Sequence, residues 1–304
     1  MRKRFFCRRA LAKIRGVCYN YCIMKRILTD VHTHTTFSPD GRDSIEDMLS
    51  CAHAMGVKYY GISEHFDFDV LVNNIQVFDH PYRHTDSAAY FSKARQMQTQ
   101  YAGKMCVLVG GEYGYTDTAE AHGMYQKHYD TYRPDFVVNS LHNLINGDYC
   151  RGKPFKKPDG SYRDKEEVYG EYFDLVLRST QVEYPWDILG HVSYCTRYAP
   201  YEDRRARWVD YADAIDAILK EVIARDKILE VNSSNKQGVS LMLPDTDILE
   251  RYFELGGRKI SFASDAHFIS RICEHRDEIA DILKAIGFEY ITVPRCGEHI
   301  KVEI

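Results

Sequence analysis

Residues that could do chemistry recur in this sequence where short apolar runs end. His32-Thr33-His34 follows the run 27–31, and Asp265-Ala266-His267 follows the run 259–263. Side chains two apart on an extended chain point the same way, so each pair can offer two donors to one ion. Single donors follow four more runs: His65 after Gly-Ile-Ser-Glu, Glu112 after Val-Leu-Val-Gly-Gly, His142 after Val-Val-Asn-Ser-Leu, and His191 after Asp-Ile-Leu-Gly. Imidazole and carboxylate donors without cysteine suit Zn, Mn or Fe rather than an iron–sulfur cluster. These donors are more than one tetrahedral ion can use, which indicates two or three divalent transition-metal ions. Glu112 is the lone glutamate of the set, and its two oxygens could bridge a pair of ions. A single histidine at a strand end is ordinarily a hydrogen-bonded structural residue; six strand ends that all carry donors call for a common cause. His53, His80, His84, His122, His128, His275 and His299 lack that placement and are read as structural.

The elements that must position these donors follow from the pattern of apolar residues. Strands are expected at 27–31, 57–62, 105–109, 135–139, 186–189, 227–231, 259–263 and 289–293. Helical patterns lie at 44–55, 87–100, 166–177, 208–224, 246–255 and 274–285. Ser44 can cap the first helix, with Glu46 and Asp47 favourable in its first turn and Gly56 ending it. Strands alternating with helices imply a parallel sheet, open or closed. All C-terminal strand ends of such a sheet collect on one face, where barrel active sites are built. The stretches 66–86 and 143–164 are too long for simple connectors and read as loops covering the site.

Composition bounds the function further. The chain has 304 residues with 44% hydrophobic and 28% charged residues, enough for a sizeable core. No apolar run approaches the ~20 residues needed to cross a bilayer. The formal net charge of −4 argues against a nucleic-acid partner. Residues 1–23 stand apart: they carry seven basic residues and no acidic one, and they read as an extension ahead of the natural start at Met24. Residues 24–304 read as a single catalytic domain. The nine cysteines show no Cys-x-x-Cys spacing, which fits a reducing, cytoplasmic setting better than a disulfide scaffold. Neither a Gly-x-Ser-x-Gly elbow nor a P-loop is present.

The ordered motifs are Asp30-Val-His32-Thr-His34-Thr-Thr-Phe-Ser-Pro-Asp40-Gly, Ser63-Glu64-His65, Gly111-Glu112, Ser140-Leu-His142, Gly190-His191 and Ser264-Asp265-Ala-His267. Together they resemble the PHP (polymerase and histidinol phosphatase) superfamily, nearest its monofunctional histidinol-phosphatase branch, over about residues 25–295. The resemblance implies an α/β fold, a distorted (β/α)7 TIM-like barrel with a trinuclear metal site at the C-terminal strand ends. It implies one ion on His32, His34, Glu112 and Asp265, a second on Glu112, His142 and His191, and a third on Asp40, His65 and His267. Aspartate at position 40 is similar to the histidinol-phosphatase branch, although Ser-Pro-Asp-Gly is also an ordinary turn sequence.

The resemblance also implies a phosphate-binding segment at His191-Val-Ser-Tyr-Cys-Thr-Arg197-Tyr198, where Arg197 would clamp phosphate with Tyr198 beside it. Cys195 stands where a basic residue can occur. Lys236 is the nearest basic residue after the strand 227–231, in a turn that departs from the usual form. The implied reaction is hydrolysis of a small-molecule phosphate monoester, L-histidinol phosphate, to L-histidinol and phosphate. A metal-bridging hydroxide, held through Glu112, His142, His191 and Asp265, would be the nucleophile. Two other readings stay open: a phosphoesterase of the same site acting on nucleotides or sugar phosphates, and an amidohydrolase-like barrel that attacks C–N bonds. The position of Glu112, the Asp-Ala-His ending and the Arg197 segment favour phosphate.

Overall fold

A computed structural model describes residues 27–144, 147–235 and 239–304. The basic segment 1–23 and Lys236 lie outside the described residues. The strands are β1 (Thr29–Asp30), β2 (Tyr59–Phe66), β3 (Cys106–Gly114), β4 (Val137–Ser140), β5 (Asn143–Leu144), β6 (Gly147–Asp148), β7 (Ile188–Leu189), β8 (Ile228–Asn232), β9 (Ile260–Ala263), β10 (Tyr290–Arg295) and β11 (Glu298–Glu303). Seven of them form one parallel sheet in the order β1-β2-β3-β4-β7-β8-β9. β9 then returns to the β1 segment through Val31 N–H to Phe262 O (3.2 Å), Asp265 N–H to His32 O (2.9 Å) and His34 N–H to Ala266 O (2.9 Å). The sheet therefore curls into a seven-stranded barrel.

Two-residue periodicity sorts each strand between two environments. On β3, Val107 and Val109 face the surrounding helices, whereas Leu108 belongs to a small apolar cluster inside the barrel. On β8, Leu229 and Val231 face outward and Ile228 inward. Two and four residues further along the inner face stand Gly110 and Glu112 on β3, and Glu230 and Asn232 on β8. The barrel interior thus has an apolar floor and a polar upper layer. Phe136 fills the floor; a Cβ on Gly61 would lie 2.8 Å from its ring, so glycine there is a requirement of packing.

The helices are α1 (Ile45–Ala54), α2 (Phe68–Val72), α3 (Ser87–Gln100), α4 (Ala119–Tyr132), α5 (Lys165–Ser179), α6 (Ala212–Ala224), α7 (Thr246–Glu254) and α8 (Arg276–Ile286). Ser44 caps α1 as expected, its Oγ accepting from Asp47 N at 3.1 Å. No helix among the described residues is long and apolar enough to cross a membrane.

Three sequence expectations need correction. The eighth expected strand, 289–293, is not in the parallel sheet. It pairs antiparallel with β11, and the hairpin sets Val293 into the apolar floor of the barrel. Strands β2 and β3 run further than expected, so His65 and Glu112 lie within them rather than after them. Helix α4 was not expected: its tyrosines, alanines and Met124 are interspersed with Gly123 and His128, a weak helical pattern, and Tyr125 and His128 pack on Tyr113 of β3.

His128 on α4 is buried against the ring of Phe66, with centroids 4.1 Å apart, and its Nδ1 meets Tyr113 Oη at 2.8 Å. Burial lowers its pKa to about 4. The unfolded chain therefore binds a proton near pH 6.5 that the folded chain refuses until about pH 4. Stability present above pH 6.5 is lost as the pH falls toward 4, by up to about 3 kcal/mol from this group. His128→Asn should flatten that loss, read as the difference between urea-unfolding free energies at pH 7 and pH 4.5.

Candidate metal centre

The donors singled out in the sequence converge at the C-terminal mouth of the barrel; His32, His34, Glu112, His142, His191 and Asp265 are buried, His65 and His267 partly buried and Asp40 exposed. His32 Nε2 lies 3.1 Å from His34 Nε2 and 3.3 Å from Glu112 Oε2. His34 Nε2 lies 3.5 Å from Glu112 Oε2 and 3.3 Å from Asp265 Oδ1. Atoms about 2.1 Å from one tetrahedral ion stand about 3.4 Å apart, so these four residues could share one ion. Glu112 turns its other oxygen to a second group: Oε1 is 3.1 Å from His142 Nε2 and 3.0 Å from His191 Nε2. Those two nitrogens are 3.2 Å apart. The two oxygens of Glu112 thus face two separate donor sets, as a bridging carboxylate would.

A third group lies nearer solvent. His267 Nε2 is 3.1 Å from Asp40 Oδ2, and the His267 ring stacks on His34 with centroids 4.3 Å apart. His65 stands between groups: its Nε2 is 3.8 Å from Asp40 Oδ1, while its Nδ1 is 2.9 Å from Glu112 Oε2.

Whether these residues fit metal ions can be judged from where their protons must go. His32 Nδ1 meets Glu230 Oε1 at 2.6 Å, so the proton sits there and Nε2 presents a lone pair. Ser38 Oγ donates to Glu64 and accepts from the peptide N–H of His65, leaving it an acceptor for His34 Nδ1 at 3.3 Å. His267 Nδ1 donates to the Asp265 carbonyl at 2.9 Å. His142 Nδ1 faces Asp67 Oδ1 at 3.6 Å. The outer nitrogens of His32, His34 and His267 are thus held by acceptors and that of His142 faces a carboxylate, whereas His191 Nδ1 has no partner among the described residues. Their inner nitrogens face one another and the carboxylates. Glu112 Oε2 and His267 Nε2 are buried and, although His65 Nδ1 and Asp40 Oδ2 are close, neither forms a well-directed hydrogen bond. Lone pairs crowded to within 3–4 Å of each other call for protons or cations between them, and the donor set fits a group of metal ions.

The surrounding charges act in the same sense. Burial alone would raise the pKa of Glu112, but His32, His142 and His65 hold it well below the usual carboxylate range. Burial also opposes charge on His65, yet Asp67 and Glu112 push it up to about 10. The carboxylates demand positive charge at the centre of the cluster, which divalent ions would supply.

Several residues of the site carried no role in the sequence reading. Glu230 orients two donors at once: besides His32, its Oε2 accepts from the peptide N–H of His191 at 2.7 Å. Glu64 holds the turn after His34 through Thr35 and Ser38. Asp30 accepts from Ser264 N at 2.9 Å and fixes the start of the Asp265 segment; burial raises its pKa to about 6. Asp67 faces both His65 and His142. A signal for Glu230 did exist in the sequence, a charged residue inside the apolar run Ile-Leu-Glu-Val.

Arg197 and Tyr198 line the same cavity as Asp40, His65, His142 and Asp265. Arg197 is 7% exposed, and its two NH groups reach Asp265 Oδ2 at 3.3 Å. Its guanidinium lies 4.8 Å from the ring centroid of Tyr194, and its Nε has no partner. Cys195 is fully buried and does not face the cavity.

A parallel barrel whose strand ends deliver converging imidazoles and carboxylates to one mouth defines a metal-site α/β-barrel protein. The PHP domain model matches residues 30–234, and the chain belongs to that family, within its histidinol-phosphatase branch. The chain is 30% identical over 242 residues to the probable histidinol-phosphatase of Clostridium acetobutylicum, covering 79% of this chain and 86% of that protein. It is 26% identical over 268 residues to the probable histidinol-phosphatase of Thermotoga maritima, covering 88% and 95%. Among solved structures, it resembles histidinol phosphate phosphatase from Lactococcus lactis, crystallised with Zn, L-histidinol and phosphate. That match has a TM-score of 0.77 at 23% identity and covers 91% of this chain and 99% of the other.

Proposed function

We propose that this chain is a metal-dependent phosphomonoesterase that hydrolyses L-histidinol phosphate to L-histidinol and phosphate. The observation that carries the reaction type is Glu112, whose two oxygens face two imidazole sets across a buried centre. The substrate rests on the relatives, three of which bear the name histidinol-phosphatase or probable histidinol-phosphatase.

His32, His34, Glu112 and Asp265 would hold one ion, Glu112, His142 and His191 a second, and Asp40, His65 and His267 a third. Such ions, Zn, Mn or Fe, lower the pKa of water toward ~7 and offset charge on phosphoryl oxygens. The protein's part is to aim the inner nitrogens of His32, His34, His142 and His267, through Glu230, Ser38, Asp67 and the Asp265 carbonyl. Arg197 binds the phosphate oxygens from the side of Asp265, and Tyr198 borders the same wall. A cytoplasmic location fits this reading, since none of the six described cysteines forms a disulfide.

Two outcomes test the assignments. Glu230→Gln removes the charge that polarises His32 and weakens the acceptor for His191 N–H. It should weaken metal affinity about 10- to 100-fold, read by chelator competition. Arg197→Ala should raise KM for phosphate esters and Ki for free phosphate about 10- to 100-fold each; unchanged values for both would reject its role.

A further inference from the structure

The wall of the metal cavity contains one buried carboxylate that the proposed hydrolysis does not use. Asp148 ends the short hairpin β5–β6, where it pairs with Asn143, the residue next to His142. The hairpin is tied back to the metal centre by Tyr149 N–H to the His142 carbonyl at 3.3 Å. Asp148 is 4% exposed, yet its side chain lines the cavity shared by His142, Tyr194 and Arg197. Its Oδ1 accepts from Cys150 N–H. Among the described residues, no lysine or arginine side chain forms an ion pair with it, whereas Asp40, Asp67 and Asp265 each have a histidine or arginine within 4 Å. Only His142 offsets its charge, and a carboxylate desolvated to this degree without a lysine or arginine is costly to keep. Among the described residues, Arg197 is the one guanidinium on this cavity, and Asp265 already engages it.

The cavity is therefore built with an anion-binding end at Arg197 and a second, acidic position beside His142. Val77, Phe78 and Tyr82 give the same cavity an apolar and aromatic lining. This combination suits an alcohol that carries a positive charge close to the ester oxygen and a ring beyond it. We propose that Asp148 receives the ammonium group of the leaving alcohol, so that the site selects phosphate esters of amino alcohols. The proposal rests on the phosphomonoesterase reading above and names the residue that recognises the substrate's amine.

The test compares two esters on the metal-loaded full chain: L-histidinol phosphate and 3-(imidazol-4-yl)propyl phosphate, which lacks only the amine. The wild type should prefer the amine ester by about 100-fold in kcat/KM, the range for a desolvated charge-assisted hydrogen bond. Asp148→Asn retains an oxygen to accept from Cys150 N–H and removes the charge; the preference ratio should fall to within about threefold of unity. Asp148→Glu restores the charge and should recover a ratio above about tenfold. An Asn variant that loses activity on both esters equally, keeping the ratio, would assign Asp148 a structural role and overturn the proposal. A wild type that hydrolyses both esters equally well would overturn it too, while leaving the phosphatase reading intact. Phosphate release only from aryl phosphates or nucleotides would reject the histidinol phosphate reading and this proposal with it.

Discussion

Replacing Glu112 by Gln should lower kcat/KM for phosphate-ester hydrolysis by at least about 1,000-fold, an effect of ~4 kcal/mol or more on the transition state. The magnitude follows from geometry. Oε1 lies within 3.1 Å of His142 and His191, and Oε2 within 3.5 Å of His32 and His34. A carboxamide keeps the shape but offers one oxygen and a donor –NH2, which would point N–H bonds at one set of lone pairs or be forced to face a cation. One of the two donor sets must therefore lose its carboxylate oxygen. The variant should stay folded, because Glu112 sits over an apolar floor of Val31, Leu108, Phe136 and Val138 that does not involve it. Metal analysis should show loss of at least one ion per chain. A well-metallated Gln variant with near-normal turnover would remove the bridging role.

Stripping the metal should have the second large effect. Dialysis against a strong chelator should eliminate phosphate release, by more than about 1,000-fold, and readdition of Zn or Mn should restore it. Stability should move in parallel. His32, His34, His142 and His191 present inner nitrogens to one another at 3.1–3.2 Å, and without cations these rings must take up protons or separate. Ligand linkage at a thousandfold excess over Kd is worth about 4 kcal/mol, so apo protein should unfold at a distinctly lower temperature by calorimetry. The loss should be greatest near neutral pH and above, where protons are least available to replace the ions. Equal melting temperatures for the apo and metal-loaded forms would show that the cluster does not bind ions tightly.

The legible part of this fold was the part governed by short-range periodicity. Six helices and the seven parallel strands each leave an apolar repeat, and Ser44 and Gly56 mark the ends of α1. The donors were legible because they stand where such repeats stop. What escaped the reading depends on contacts between distant residues. The strand 289–293 has the same alternation as a barrel strand, and only the turn Cys296-Gly297 and the pairing with β11 distinguish it. Asp67 leaves no mark of its own in the sequence, and Glu230 only that of a charge inside an apolar run; the meaning of Glu230 comes from a histidine 198 residues away. Asp148 was hidden likewise within a stretch read as loop.

Phosphate release from purified, metal-replete protein tests the reaction and its substrate together. L-Histidinol phosphate would be compared with sugar phosphates, nucleotides and an aryl phosphate. A preference for histidinol phosphate of about 100-fold in kcat/KM, equivalent to ~2.7 kcal/mol in transition-state binding, is the expected result. Activity spread evenly over the panel or centred on nucleotides would contradict the substrate, and no phosphate release from any ester would contradict the reaction itself.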